Sequence, residues 1–101
     1  HTSIMVSEDT WKRIASQATG RRLGSLRLRG RSEAVRVWEL LAVRPPSEEE
    51  RAEISRFEAA VDALAARRVQ EAEAGFQAVL SARPEDRVAR RYLSEARTAA
   101  V

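Results

Sequence analysis

Two consecutive prolines, Pro45 and Pro46, separate two stretches of this chain that differ in periodicity. Proline has no backbone N–H to give to a ladder, so no central strand or helix interior runs through this point. Before it, Leu26 and Leu28 alternate with Arg27 and Arg29 within residues 22–29, and residues 34–41 (Ala-Val-Arg-Val-Trp-Glu-Leu-Leu) are rich in β-formers. Gly30-Arg31-Ser32 between them is a turn signal, so the two stretches predict a β-hairpin. After the prolines, apolar residues recur every three or four positions, the spacing of helices.

The start of the chain adds a strand and a helix. Ser3-Ile-Met-Val6 is a short apolar run that reads as a strand end. Ser7 has the chemistry of a helix N-cap, and Glu8 and Asp9 follow where the helix dipole favours acids. Trp11, Ile14, Ala15 and Ala18 continue at helical spacing, and Gly20 is expected to stop this helix. The first part is therefore β-α-β-β.

In the second part, Ser47 and Glu50 match a capping box that opens a helix carrying Ile54, Phe57, Val61 and Leu64. Arg67-Arg68 is a short connection. Val69, Ala72, Phe76, Val79 and Leu80 mark a second helix, which Pro84 ends, and Val88, Ala89, Tyr92, Leu93 and Ala96 mark a third. Short connections make such helices antiparallel neighbours. The fold class is α+β. The expected organisation is 1–43 for the sheet part, 44–47 as a linker and 48–101 as a three-helix tail.

Charge divides at the same place. Residues 1–44 hold nine Lys/Arg against four Asp/Glu, whereas residues 45–101 hold nine against eleven. The basic half favours phosphates. The chain has no cysteine, which excludes disulfides, zinc–thiolate sites and thiol catalysis. No run approaches the roughly 18 apolar residues of a membrane span, so no membrane contact is expected from this segment. No Gly-rich phosphate loop, Ser-His-Asp set or zinc spacing is present. His1 is alone. Trp11 and Trp38 sit among apolar residues and read as packing groups, and Tyr92 reads as half-buried. One basic hairpin without alternating aromatics does not make a nucleic-acid platform.

Two stretches carry a family resemblance. Ile4-Met-Val-Ser-Glu-Asp-Thr-Trp11 resembles the apolar strand, Ser-Glu-x-Thr and aromatic of class III adenylate/guanylate cyclase domains. Arg22-Leu-Gly-Ser-Leu-Arg-Leu-Arg-Gly-Arg31 with Glu33-Ala-Val-Arg-Val-Trp-Glu-Leu40 resembles the end of the same domain: Leu-Gly, an alternating strand, a basic-Gly-basic turn, Glu, and a strand ending in aromatic-Glu. The order and separation of the two stretches match as well. The tail is similar to a single tetratricopeptide repeat: Ala60, Val69, Ala72, Phe76 and Pro84 sit at fitting offsets within a unit of roughly 34 residues. The usual Gly between the helices is replaced by Arg67 and Arg68.

The resemblance implies that 1–43 is the C-terminal part of a cyclase catalytic domain, a β-α-β-β remnant of its ferredoxin-like fold. The parent would convert ATP, or alternatively GTP, to the 3′,5′-cyclic nucleotide and pyrophosphate in bacterial signalling. The family's two metal-binding Asp residues and its Asn-Arg pair lie upstream of the matched region, so none carries over. This chain alone is expected to have no catalytic residue, no metal site, no cofactor and no activity, with Mg or Mn serving the parent. Asp9 beside a helix start reads as a dipole partner, not a metal ligand. One position does carry over. The first Lys of the family's Lys-Gly-Lys turn reaches the triphosphate, and Arg29 of Arg29-Gly30-Arg31 stands there, with Arg31 beside it as a second phosphate-binding residue. Arginine holds phosphate bidentately where lysine acts as a point charge. The implied partners are the missing half of the domain, a nucleoside triphosphate in the parent and a second copy in a homodimer, in the cytoplasm. A helical-repeat interaction module without catalytic role is the alternative.

Overall fold

The computed structural model describes residues 4–27 and 34–99, with side chains of 24–27, 34 and 35 excepted. His1, Ser3, Leu28, Arg29, Gly30, Arg31, Ser32 and Glu33 lie outside the described residues. The architecture is α+β: a three-stranded antiparallel sheet and four helices. The elements are β1 (Ile4–Ser7), α1 (Glu8–Ile14), β2 (Thr19–Arg27), β3 (Ala34–Ala42), α2 (Glu48–Ala65), α3 (Val69–Ala82) and α4 (Arg87–Ala99). They form two compact units, His1–Arg51 and Ala52–Val101.

In the first unit the strand order is β1-β3-β2, and both pairings are antiparallel. β1 and β2 therefore run parallel to each other with β3 inserted between them. Directly paired residues share a face of a sheet. Val6, Trp38 and Arg22 lie on one face together with Ile4, Leu40 and Gly20. Met5, Glu39 and Arg21 lie on the other. Irregularities between Thr19 and Gly20 and between Arg22 and Ser25 interrupt the β2 register.

α1 is capped as expected: the Ser7 hydroxyl accepts from the Thr10 backbone N–H at 3.3 Å. It ends earlier than expected. Gly20 does not stop this helix; it lies within β2, paired with Leu40. The glycine is required by packing, because a Cβ there would stand 2.6 and 2.8 Å from two ring carbons of Trp11 and 3.0 Å from the Glu39 carbonyl. Pairing with β3 outweighs helix continuation here, since the ladder satisfies the backbone groups of Gly20.

The capping box of α2 forms in both directions. The Ser47 N–H donates to Glu50 Oε1 at 2.9 Å, and the Glu50 N–H donates to Ser47 Oγ at 3.1 Å. This satisfies two donors that the first helical turn leaves without intrahelical partners.

The second unit is built on one aromatic side chain from each helix. Phe57 of α2 meets Phe76 of α3 edge-on at 5.8 Å, and Tyr92 of α4 stacks on Phe76 at 5.3 Å and meets Phe57 edge-on at 5.9 Å. Such geometries add about 0.5–1.5 kcal/mol per pair beyond area burial. Ala60, Val61, Ala72, Val79, Ala89, Leu93 and Ala96 are buried around them. The 3.6-residue stripes thus fall on the core side, with Ile54, Leu64, Val69, Leu80, Val88 and Tyr92 half-buried at their margins. α2 and α3 approach closely at Ala60 and Gly75: a Cβ on Gly75 would lie 2.7 Å from that of Ala60.

α2 ends in a Schellman motif. The Arg68 N–H donates to the Ala63 carbonyl at 2.8 Å and the Arg67 N–H to the Leu64 carbonyl at 3.1 Å. This turn requires a left-handed residue, and Arg67 adopts it with φ 65°. α4 opens on Asp86, whose Oδ1 accepts from the Ala89 N–H at 3.0 Å. Among the described residues no helix is long and apolar enough to cross a membrane.

Candidate functional site

The two expected phosphate-binding residues, Arg29 and Arg31, lie outside the described residues. The strands that lead to and from them are described. β2 and β3 pair as far as Arg27 with Ala34, so the segment 28–33 joins the ends of two directly hydrogen-bonded strands.

At the other end of this strand pair, Arg21 and Glu39 form a buried ion pair. Arg21 Nε and one terminal nitrogen each lie 2.7 Å from Glu39 Oε1, with side-chain exposures of 8% and 5%. Both residues escaped the functional reading of the sequence. Glu39 appears there only as the acidic residue after Trp38, and Arg21 falls before the alternating stretch. For Glu39 a signal was available, since its two-residue period sets it with Val35 and Val37; for Arg21 the alternation of Leu26 and Leu28 pointed to the other face, and the irregularity between Arg22 and Ser25 reverses it. Facing charges in a dry site hold one register, because a slip would leave each unpaired.

The opposite face carries the tryptophans. Trp11 and Trp38 stack at 6.3 Å with planes 12° apart, and both are half-buried. They act as packing groups that hold α1 on β3, with the Trp11 ring lying over Gly20. Arg36 is exposed on β3 and lies 3.6 Å from Glu8 at the start of α1. Asp9 is exposed in the first turn of α1, where the dipole favours it.

A polar cluster ties the end of β3 to the start of α2. Thr19 Oγ1 donates to the Arg44 carbonyl at 2.6 Å. The Arg44 guanidinium grips Glu50 with two bonds of 2.6 and 2.8 Å. These bonds, with that from the Ser47 N–H, lower the Glu50 carboxyl to about 2, and the same contact raises Arg44 above its ordinary value. These bonds make the cluster a joint between the end of β3 and the start of α2.

Among the described residues no group of three or more His, Asp or Glu side chains is placed to hold a metal ion. Chemically, the described residues provide a two-stranded antiparallel arm, β2 with β3, whose connecting residues are basic in sequence. Comparison with protein-family models, curated proteins and solved structures finds no match to this chain.

Proposed function

We propose that residues 1–43 are the C-terminal part of a class III nucleotide cyclase catalytic domain and that residues 48–101 are a tetratricopeptide-like tail. One observation supports this above others: both stretches that carry the resemblance belong to one sheet. The Ile4–Trp11 stretch supplies β1 and enters α1, the other stretch supplies most of β2 and β3, and β3 lies between β1 and β2. A strand inserted between the two strands of a β-α-β unit is the arrangement of a ferredoxin-like remnant.

In the parent, the ribose 3′-oxygen attacks the α-phosphorus of ATP, or alternatively GTP, and pyrophosphate leaves. Arg29 and Arg31, in the basic segment that joins β2 to β3 in sequence, are the residues proposed to hold the triphosphate. Charge-assisted, bidentate hydrogen bonds suit this task. The parent works as a cytoplasmic homodimer in signalling, with Mg or Mn supplying charge neutralisation. The family's metal-binding residues fall outside the matched stretches, so residues 1–101 by themselves are proposed to be inactive. Incubation with ATP or GTP and Mn²⁺ tests the proposal: no cyclic product is expected, and turnover above background overturns it.

The Schellman turn at Arg67–Arg68 and the close approach of Ala60 to Gly75 favour a second reading, for the tail alone. They give α2 and α3 the tight antiparallel pairing of a helical repeat, which suits a protein-interaction module. Removing residues 48–101 from the parent separates the two readings. Persistent cyclase activity marks the tail as a docking element, whereas lost activity with lost folding marks it as part of the catalytic domain.

A further inference from the structure

Ala89, Leu93 and Ala96 of α4 are buried, while Arg90, Ser94, Arg97 and Thr98 are exposed. Along one flank of the helix Arg90, Leu93, Ser94, Arg97 and Thr98 line an open groove of ≈ 330 Å³. A small-molecule site buries most of its ligand; this groove is open and has a single leucine as its apolar floor. Its lining residues all stand on one flank of α4 at spacings of three and four, so it presents a row of contacts at helical spacing rather than an enclosed site. Ser94 and Thr98 are short and one turn apart, which lets a second backbone come close.

The charges set the spacing of that row. Arg90 and Arg97 are seven residues apart, about 10.5 Å along the helix axis, with Leu93 between them. Each guanidinium has five N–H donors. Arg90 uses one terminal nitrogen on the Pro84 carbonyl. Arg97 reaches Glu73 Oε1 through Nε at 3.4 Å. Both keep donors for an incoming carboxylate.

We propose that this groove docks an acidic amphipathic helix of a partner protein. Carboxylates at positions i and i+7 of that helix meet Arg90 and Arg97, and an apolar residue between them lies on Leu93. A second copy of this chain does not supply the match, because no two of its acidic residues are seven positions apart. The inference goes beyond the cyclase reading and stands without it.

The test uses the full chain and a fluorescein-labelled helical peptide with Glu at i and i+7 and Leu at i+3 and i+4, followed by anisotropy. Saturable binding that weakens with salt is expected. Arg90→Gln with Arg97→Gln should reduce affinity about tenfold, since two exposed pairs are lost. Glu73→Gln, which removes a competing carboxylate, should raise it about twofold. Equal binding by the Arg90→Gln/Arg97→Gln chain with an unchanged thermal melt overturns the proposal. So does equal binding to the wild-type chain of a peptide with Lys at i and i+7, an outcome independent of any variant's folding. Self-association in sedimentation velocity that Arg97→Glu abolishes would assign the groove to a second copy and also overturns it.

Discussion

Arg21 and Glu39 face each other across β2 and β3 as directly paired residues, and two nitrogens of the arginine converge on one carboxylate oxygen at 2.7 Å. Removing one partner of such a pair leaves a buried charge without its counterion, at a cost of about 3–5 kcal/mol. Replacing both with apolar residues of similar size is often neutral or stabilising. We therefore expect Glu39→Ala to destabilise the first unit by about 3 kcal/mol and Arg21→Met with Glu39→Leu to cost far less. Both tryptophans, Trp11 and Trp38, lie in the first unit. Urea unfolding followed by their fluorescence reports on that unit directly.

Glu50 makes stability dependent on acid. Hydrogen bonding to Arg44, then to the Ser47 backbone, lowers its carboxyl from 4.5 to about 2. A depressed carboxyl contributes stability that is full above the unfolded value and is lost as pH falls through the folded one. The contribution should therefore disappear between pH ~4.5 and ~2. Glu50→Gln should flatten the stability profile in that window and leave its slope at higher pH unchanged. Thermal melts by circular dichroism across the window compare the two chains.

Arg67 pays for the Schellman turn with a left-handed backbone. An L-residue in that conformation costs roughly 1–2 kcal/mol, and glycine avoids this at an entropic cost of about 0.5–1 kcal/mol. Arg67→Gly should stabilise the second unit by about 0.5–1 kcal/mol. Arg67→Val should destabilise it, because a β-branched residue fits φ near 65° poorly. The helical signal at 222 nm during urea unfolding decides the order of the three chains.

Gly75 sets two effects against each other. Alanine at an interior helix position gains about 0.8–1 kcal/mol of propensity over glycine. Here its methyl would stand 2.7 Å from the Ala60 Cβ, so α2 and α3 must part. Overpacking of this kind costs about 1–3 kcal/mol. Gly75→Ala is expected to be destabilising on balance, and Ala60→Gly in the same chain should recover part of the loss. A double-mutant cycle measures the coupling between the two positions.

Arg29 tests the chemistry of the proposed parent. Arg29→Ala in the intact protein should weaken substrate use more than stability. Surface substitutions are usually within about 0.5 kcal/mol, whereas a hydrogen bond to a charged group contributes about 1.5–3 kcal/mol. A loss of roughly tenfold or more in kcat/KM with an unchanged melting temperature is expected. Unchanged kinetics would remove Arg29 from the proposed phosphate contact.

The sequence by itself determined the features whose partners are near in the chain. Ser7 with Thr10 and Ser47 with Glu50 could be read because a cap needs one side chain and a backbone N–H three residues away. The apolar stripes of α2, α3 and α4 could be read because one helical face repeats every 3.6 residues. Pro45 and Pro46 marked the end of the sheet because proline has no ladder donor. Tertiary structure decided the rest. Gly20 looks like a helix stop until Trp11 lies over it, and Arg67 looks like an ordinary connector until the end of α2 demands a left-handed residue. Arg21 meets Glu39 only because the β2 register breaks between Thr19 and Gly20 and again between Arg22 and Ser25. A one-residue slip reverses which side chains face each other, and no local propensity fixes it; the order β1-β3-β2 and the burial of that ion pair arise only when distant strands have found one another.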